Sequence, residues 1–221
     1  MFRSSRRAVV FPQAEHARFS AALAALWGNE RFERPALDFD AFVRGVALHD
    51  RGYGELDADG IGEVSSERWL EIQRRSFEPR GEDPVVDLVV AMHVHRLLSK
   101  PWNPALAVSD PELEASLPAL RAAAGVGEDE AGAADAITDL CDRIAFDVCV
   151  EERSEWDFSI APGVGADPVE VAFAFDGAGT VTLDPWPLGV PWARPVLCGF
   201  AADGYPDRHA PVVEPILVRP V

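Results

Sequence analysis

The stretch FVRGVALHDRGY, residues 42–53, sets a histidine beside an aspartate at His49 and Asp50. Phe42 and Val46 precede His49 by seven and three residues, on one stripe of an amphipathic helix predicted from about Asp38 or Asp40 to Asp50. Gly52 and Gly54 end that pattern, so the pair falls at its last turn. Adjacent side chains on a helix point about 100° apart. Both can then reach one ion only in a cleft that the helix faces, with further ligands from neighbouring helices.

Working outward, Ala8 to Phe11 reads as a short strand, and Pro12 opens a helix that runs to Trp27 and stops at Gly28-Asn29. On it His16 shares a face with Phe19, Leu23 and Leu26, which turns the imidazole inward. Arg51 to Ser65 is a Gly-rich, acidic loop, followed by a helix near Glu67 to Phe77. Asp83-Pro84 caps the next helix, and Val85 to Leu98 is apolar on nearly every face. It carries His93 and His95, which diverge by about 200°, so one ion takes only one of them. Periodicity alone does not choose between the two. Asp110-Pro111 opens a helix that Pro118 is expected to kink. A long helix from about Glu128 to Glu151 follows, with Asp142 beside its apolar stripe.

Ten of the 18 prolines lie between Pro162 and Pro220, where short apolar runs alternate in the strand manner. The expected architecture is therefore mainly α: a helical domain over residues 1–160 with a small proline-rich β appendage over 161–221 packed on it.

A net charge of −17, with Lys100 the single lysine, excludes the positive footprint that nucleic acid or an anionic membrane surface requires. No apolar run reaches the roughly 20 residues of a membrane span. The N-terminal MFRSSRRAVVFPQ lacks a secretory h-region, so a cytoplasmic protein is expected. The three cysteines, Cys141, Cys149 and Cys198, make neither a disulfide framework nor a zinc ribbon.

In chain order the candidate ligands are His16, His49 and Asp50, one of His93 and His95, and Asp142. Imidazoles with carboxylates suit a divalent transition metal such as iron, manganese, zinc or nickel. Two other motifs fail. Asp57-Ala58-Asp59-Gly60 opens like a calcium loop, but Arg68 stands where the bidentate glutamate belongs. Gly125-Val126-Gly127 lacks the preceding strand and third glycine of a dinucleotide fingerprint. His209 reads as a surface loop residue.

The runs Pro12-Gln13-Ala14-Glu15-His16-Ala17, Trp27-Gly28-Asn29 and His49-Asp50-Arg51-Gly52-Tyr53 resemble motifs of a bacterial family, number 3891 in the domain-of-unknown-function series. Val90-Ala91-Met92-His93 and Leu140-Cys141-Asp142-Arg143 resemble its later motifs, so the likeness spans roughly residues 8 to 150. The order His, His-Asp, His, Asp is also similar to the HD-domain superfamily of all-helical, metal-dependent phosphohydrolases. That resemblance implies an HD-like bundle with His16, His49, Asp50 and Asp142 on one ion, and His93 rather than His95 as a further ligand or a supporting donor. Dinuclear members offer two well-separated histidines after the His-Asp pair; this chain offers one convincingly, which implies a mononuclear site. Tyr53 stands where the family shows Trp.

On the resemblance, the expected activity is hydrolysis of a small phosphorylated metabolite. Asp50 would orient a metal-activated water, and Arg18, Arg51, Arg96, Lys100 or Arg143 would neutralise the phosphate. Two alternatives stand beside it: a diiron oxygenase on the same scaffold, and a non-catalytic binding or regulatory module.

Overall fold

The structure, a computed structural model, describes residues 1–54, 57, 60, 63–81, 83–99 and 109–221. Lys100, and Ala58 and Asp59 of the calcium-like run, lie outside these residues.

Six helices stand between strands at both ends. Strands β1 (Phe2–Arg3) and β2 (Val9–Phe11) lead into α1 (Gln13–Ala24), α2 (Phe39–Ala47), α3 (Ser66–Phe77), α4 (Pro84–Ser99), α5 (Pro111–Ala124) and α6 (Glu128–Val150). There follow β3 (Ser154–Ile160), β4 (Val169–Phe175), β5 (Thr180–Asp184), β6 (Val196–Ala201), β7 (Pro211–Pro215) and β8 (Leu217–Pro220). The helix starts obey local chemistry. Asp38, Ser65 and Asp110 accept the backbone N–H groups of Ala41, Arg68 and Leu113, and Asp83 accepts that of Val85. Gly125 ends α5 with a left-handed φ of 72°, and α5 continues through Pro118.

The expectation of a mainly helical chain with a small β appendage is overturned. The strands among the described residues form two four-stranded sheets, in the orders β1-β2-β6-β7 and β3-β4-β5-β8, so the fold is α/β. The first sheet draws on both ends of the chain, with Val10 opposite Phe200 across an antiparallel pair. In the second, β8 runs parallel to β5, with Val181 opposite Val218. The sheets are not peripheral. Phe11, Val171, Phe173, Phe175, Val181 and Val218 are buried in the same apolar cluster as Phe19, Leu23, Phe42, Val89, Ile144 and Val148 of the helices. A strand of two residues has no periodicity to read, and β3 starts only four residues after α6 ends, before the prolines on which the β region was placed.

Two joints seat the elements that carry the ligand candidates. Gly45 of α2 lies against Val89 of α4: a Cβ there would stand 2.7 Å from the Val89 Cβ, so only glycine permits this helix approach. The Trp27-Gly28-Asn29 turn docks on the segment before β6. There the Asn29 amide donates to the carbonyls of Trp186 and Leu188, and Gly28 N–H donates to Pro187. No helix among the described residues is long and apolar enough to cross a membrane.

Candidate metal centre

α2 ends at Ala47, three residues short of the expected boundary, and this decides how His49 and Asp50 point. From Leu48 the backbone passes into successive turns, with His49 N–H bonded to Val46, Arg51 N–H to Leu48 and Tyr53 N–H to Asp50. Leaving the helix frees the two side chains from its 100° divergence. They converge on one point.

At that point four ligand atoms from two helices and one turn meet. His16 Nε2 on α1 lies 2.8 Å from Asp142 Oδ1 on α6 and 3.3 Å from His49 Nε2. His49 Nε2 lies 3.4 Å from Asp50 Oδ2 and 3.5 Å from Asp142 Oδ1, and His16 Nε2 is 3.9 Å from Asp50 Oδ2. An ion about 2.1 Å from each ligand sets neighbouring ligand atoms about 3.0–3.4 Å apart and opposite ones about 4.2 Å apart. The cluster matches that scale. His93 on α4 adjoins it, with Nε2 3.5 Å from Asp50 Oδ1 and its ring centroid 4.4 Å from that of His49. All five residues named as metal ligands from the sequence, His16, His49, Asp50, His93 and Asp142, are thus brought together. They fall into two overlapping triads that share His49.

His95 is not among them. It is half-buried and lines a separate surface cavity with Ser109, Asp110 and Glu114. His209 is exposed and lies against the Phe200 and Tyr205 rings.

The tautomer of His49 suits a ligand. Its Nδ1–H donates to the Val46 carbonyl at 2.7 Å, which turns Nε2 towards the centre as the atom that would bind an ion. The donor set is two imidazoles and two carboxylates, and nearly all of it is out of water: His16 and His49 are about 1 % and 0 % exposed. Burial works against a charged His49, yet the facing Asp50 and Asp142 carboxylates prevail and hold its proton up to about 10. Burial would raise the two carboxyls, but the imidazoles beside them keep both well below the ordinary carboxylate range. A protonated His49 thus faces two ionised carboxylates, and a divalent ion fits where that proton resides. Burial and the charge on His49 push His93 the other way, below the usual imidazole range. Tyr53, buried near these carboxylates, has its hydroxyl pushed far up and stays neutral.

Of the cations considered for a phosphate, Arg51 is buried against Asp87 and donates to the carbonyls of Ser76 and Glu78. Arg18 pairs with Glu15 and the Val196 carbonyl, and Arg143 lies over the Trp156 ring and beside Asp147. Arg96 borders the centre, with Nη1 3.8 Å from Asp142 Oδ2, but its guanidinium is shared with Asp135 and Asp139. Those two aspartates were missed from the sequence. Their signal was present: Asp135, Asp139 and Asp142 follow at four and three residues, one face of α6.

No curated protein and no solved structure matches the chain. A family model described as a protein of unknown function, DUF3891, matches residues 1–192, a span that holds all five clustered residues and ends just before β6. The chain belongs to the DUF3891 family.

Proposed function

We propose that this protein is a metal-dependent hydrolase in which His16, His49, Asp50 and Asp142 hold one divalent transition ion, iron, manganese, zinc or nickel. The observation that carries the reading is that each imidazole Nε2 lies 2.8–3.9 Å from an oxygen of both carboxylates and 3.3 Å from the other imidazole, in a buried cluster. Their order along the chain is similar to that of HD-domain phosphohydrolases. An ion bound there would lower the pKa of a coordinated water towards about 7 and supply a nucleophile.

The chain's own groups set the rest. The Val46 carbonyl fixes the His49 ring. Asp50 has one oxygen towards the ligand cluster and the other towards His93, so it both binds and orients. Its side chain is 10 % exposed and that of Asp142 is 16 %, so access runs past the carboxylates while the imidazoles exclude water behind them. The substrate class, a small phosphorylated metabolite, follows from the resemblance; Arg96 is the described guanidinium that borders the centre. Three free thiols accord with a reducing, cytoplasmic setting.

A second reading, a two-ion centre with oxidative chemistry, is favoured by the His49–Asp50–His93 triad. Elemental analysis of protein from iron-replete cells separates them: about two irons per chain points to the oxygenase, one divalent ion to the hydrolase. His49→Ala tests the first reading directly, by metal content and hydrolysis of p-nitrophenyl phosphate. Joint loss supports it, and full metal occupancy in that variant refutes it.

A further inference from the structure

We infer that His93 is not an ion ligand but a hydrogen-bond donor, locked by Arg96, whose Nε2–H is presented to an oxygen acceptor entering the centre, either water or a substrate oxygen. The inference rests on the ion being held by the other four residues.

Arg96 Nη2 lies 3.1 Å from His93 Nδ1. A guanidinium has only N–H groups to offer and does not lose its proton in proteins, so Nδ1 must accept. The ring proton of a neutral His93 is then on Nε2. That leaves no lone pair there for a metal, the reverse of His49, whose Nδ1 donates to Val46 and whose Nε2 faces the ligand cluster. Arg96 is itself held. Nη1 donates to Asp139 at 2.7 Å, and Nε sits 3.3 and 3.4 Å from the two Asp135 oxygens. Acids on one face of α6 thus fix an arginine on α4, and the arginine fixes the imidazole one turn before it.

The Nε2 atom of His93 is buried and has no hydrogen-bond partner among the described residues; Asp50 Oδ1, at 3.5 Å, is too far to satisfy it. A buried N–H without an acceptor costs about 1–3 kcal/mol. The entering oxygen would remove that cost, so the group is poised for a ligand rather than for the resting protein.

Two-bond 1H–15N correlation spectra of 15N-histidine protein read the tautomers directly. The expected result is a proton on Nε2 with a bare Nδ1 at His93, and a protonated Nδ1 at His49. Loading with 113Cd2+ should give 113Cd–15N coupling at His16 and His49 and none at His93. Coupling at His93, or an Nδ1–H tautomer there in the ion-free protein, overturns the inference. If no histidine couples to cadmium, the metal reading fails, while the ion-free tautomer of His93 still tests Arg96's role.

As a second arm, His93→Gln keeps a donor of similar reach. It should retain one Co2+ per chain within about tenfold of wild-type affinity, with an unchanged visible spectrum, whereas His49→Gln should lose about 100-fold or more. Arg96→Met should release the ring, so that the Nδ1–H form appears at His93. A spectrum unchanged in Arg96→Met, or cobalt lost in His93→Gln, counts against the inference.

Discussion

The Nδ1 of His49 donates to the backbone carbonyl of Val46, one turn earlier in its own chain, at 2.7 Å. The bond needs no other element, so the orientation of this imidazole is set as soon as α2 and the turn after it form. His16 has no such partner: its Nδ1 is buried without one, and its ring is placed by packing against Phe2 and by Asp142. One member of the cluster is thus oriented locally, and the other depends on the assembled fold.

The His49 proton makes stability and ion binding depend on pH. Its folded value, about 10, is above the ordinary 6.5, so its contribution is full below pH 6.5 and is lost as pH rises through 10. Asp50 and Asp142, both lowered, contribute above their ordinary values near 3.8 and lose this as pH falls through the folded ones. Thermal melts of chelated protein should show Tm falling by several degrees between pH 7 and 10. The ion replaces that proton, so metal-loaded protein should lack the alkaline fall, and Kd for Zn2+ or Mn2+ should tighten about tenfold per pH unit below 10.

Gly45→Ala should loosen the α2–α4 joint. The new Cβ would meet the branched Val89 side chain at 2.7–3.1 Å, with no flexible end to give way. Overpacking of this kind costs about 1–3 kcal/mol, against which Ala returns about 1 kcal/mol of helix propensity. Urea unfolding should show a net loss of up to about 2 kcal/mol. Ion affinity should fall with it, because α2 leads into His49 and Asp50.

Arg51 belongs to the His-Asp motif, but its bonds are structural. Asp87 accepts from Arg51 and from the backbone N–H groups of Arg80 and Gly81, with both side chains of the ion pair only 5–6 % exposed. Asp87→Ala strands a buried guanidinium and two donors. A loss of about 3–5 kcal/mol is expected, read as a lower denaturation midpoint at unchanged m. Metal content of the fraction that remains folded should be retained.

Cys141 and Cys149 are buried, and burial pushes both thiols well above their usual range, whereas Cys198 is partly exposed. A thiol reagent should therefore label one cysteine rapidly in the native protein and all three after denaturation. Rapid labelling of Cys141, which adjoins Asp142, would show that α6 is looser than described.

Helices α1 and α2 were legible because each has a one-sided apolar stripe, which carries His16 with Phe19 and Leu23 and leads through Phe42 and Val46 to His49. Periodicity could not choose between His93 and His95, since α4 is apolar all round; the packing of α2 and α6 on one side of α4 makes that choice. The sheets were misjudged for a different reason. β2 finds its second partner in β6, far along the chain, and local pattern carries no trace of such pairing. The role of Arg96 was likewise invisible on α4, where it reads as one of five cations available to a phosphate; its meaning lies in Asp135 and Asp139 on another helix.

The pairing of Val10 with Phe200 has a consequence for biosynthesis. On the ribosome, β2 emerges early with its apolar residues Val9, Val10 and Phe11, and has no neighbour on one side until β6 has been made. Until then it is an open, sticky edge, the kind of surface that chaperones cover. Pro12 joins it directly to α1, so His16 cannot settle until the sheet closes. An ion held as proposed would therefore be acquired only once β6 has been made, rather than guiding the earlier chain into shape.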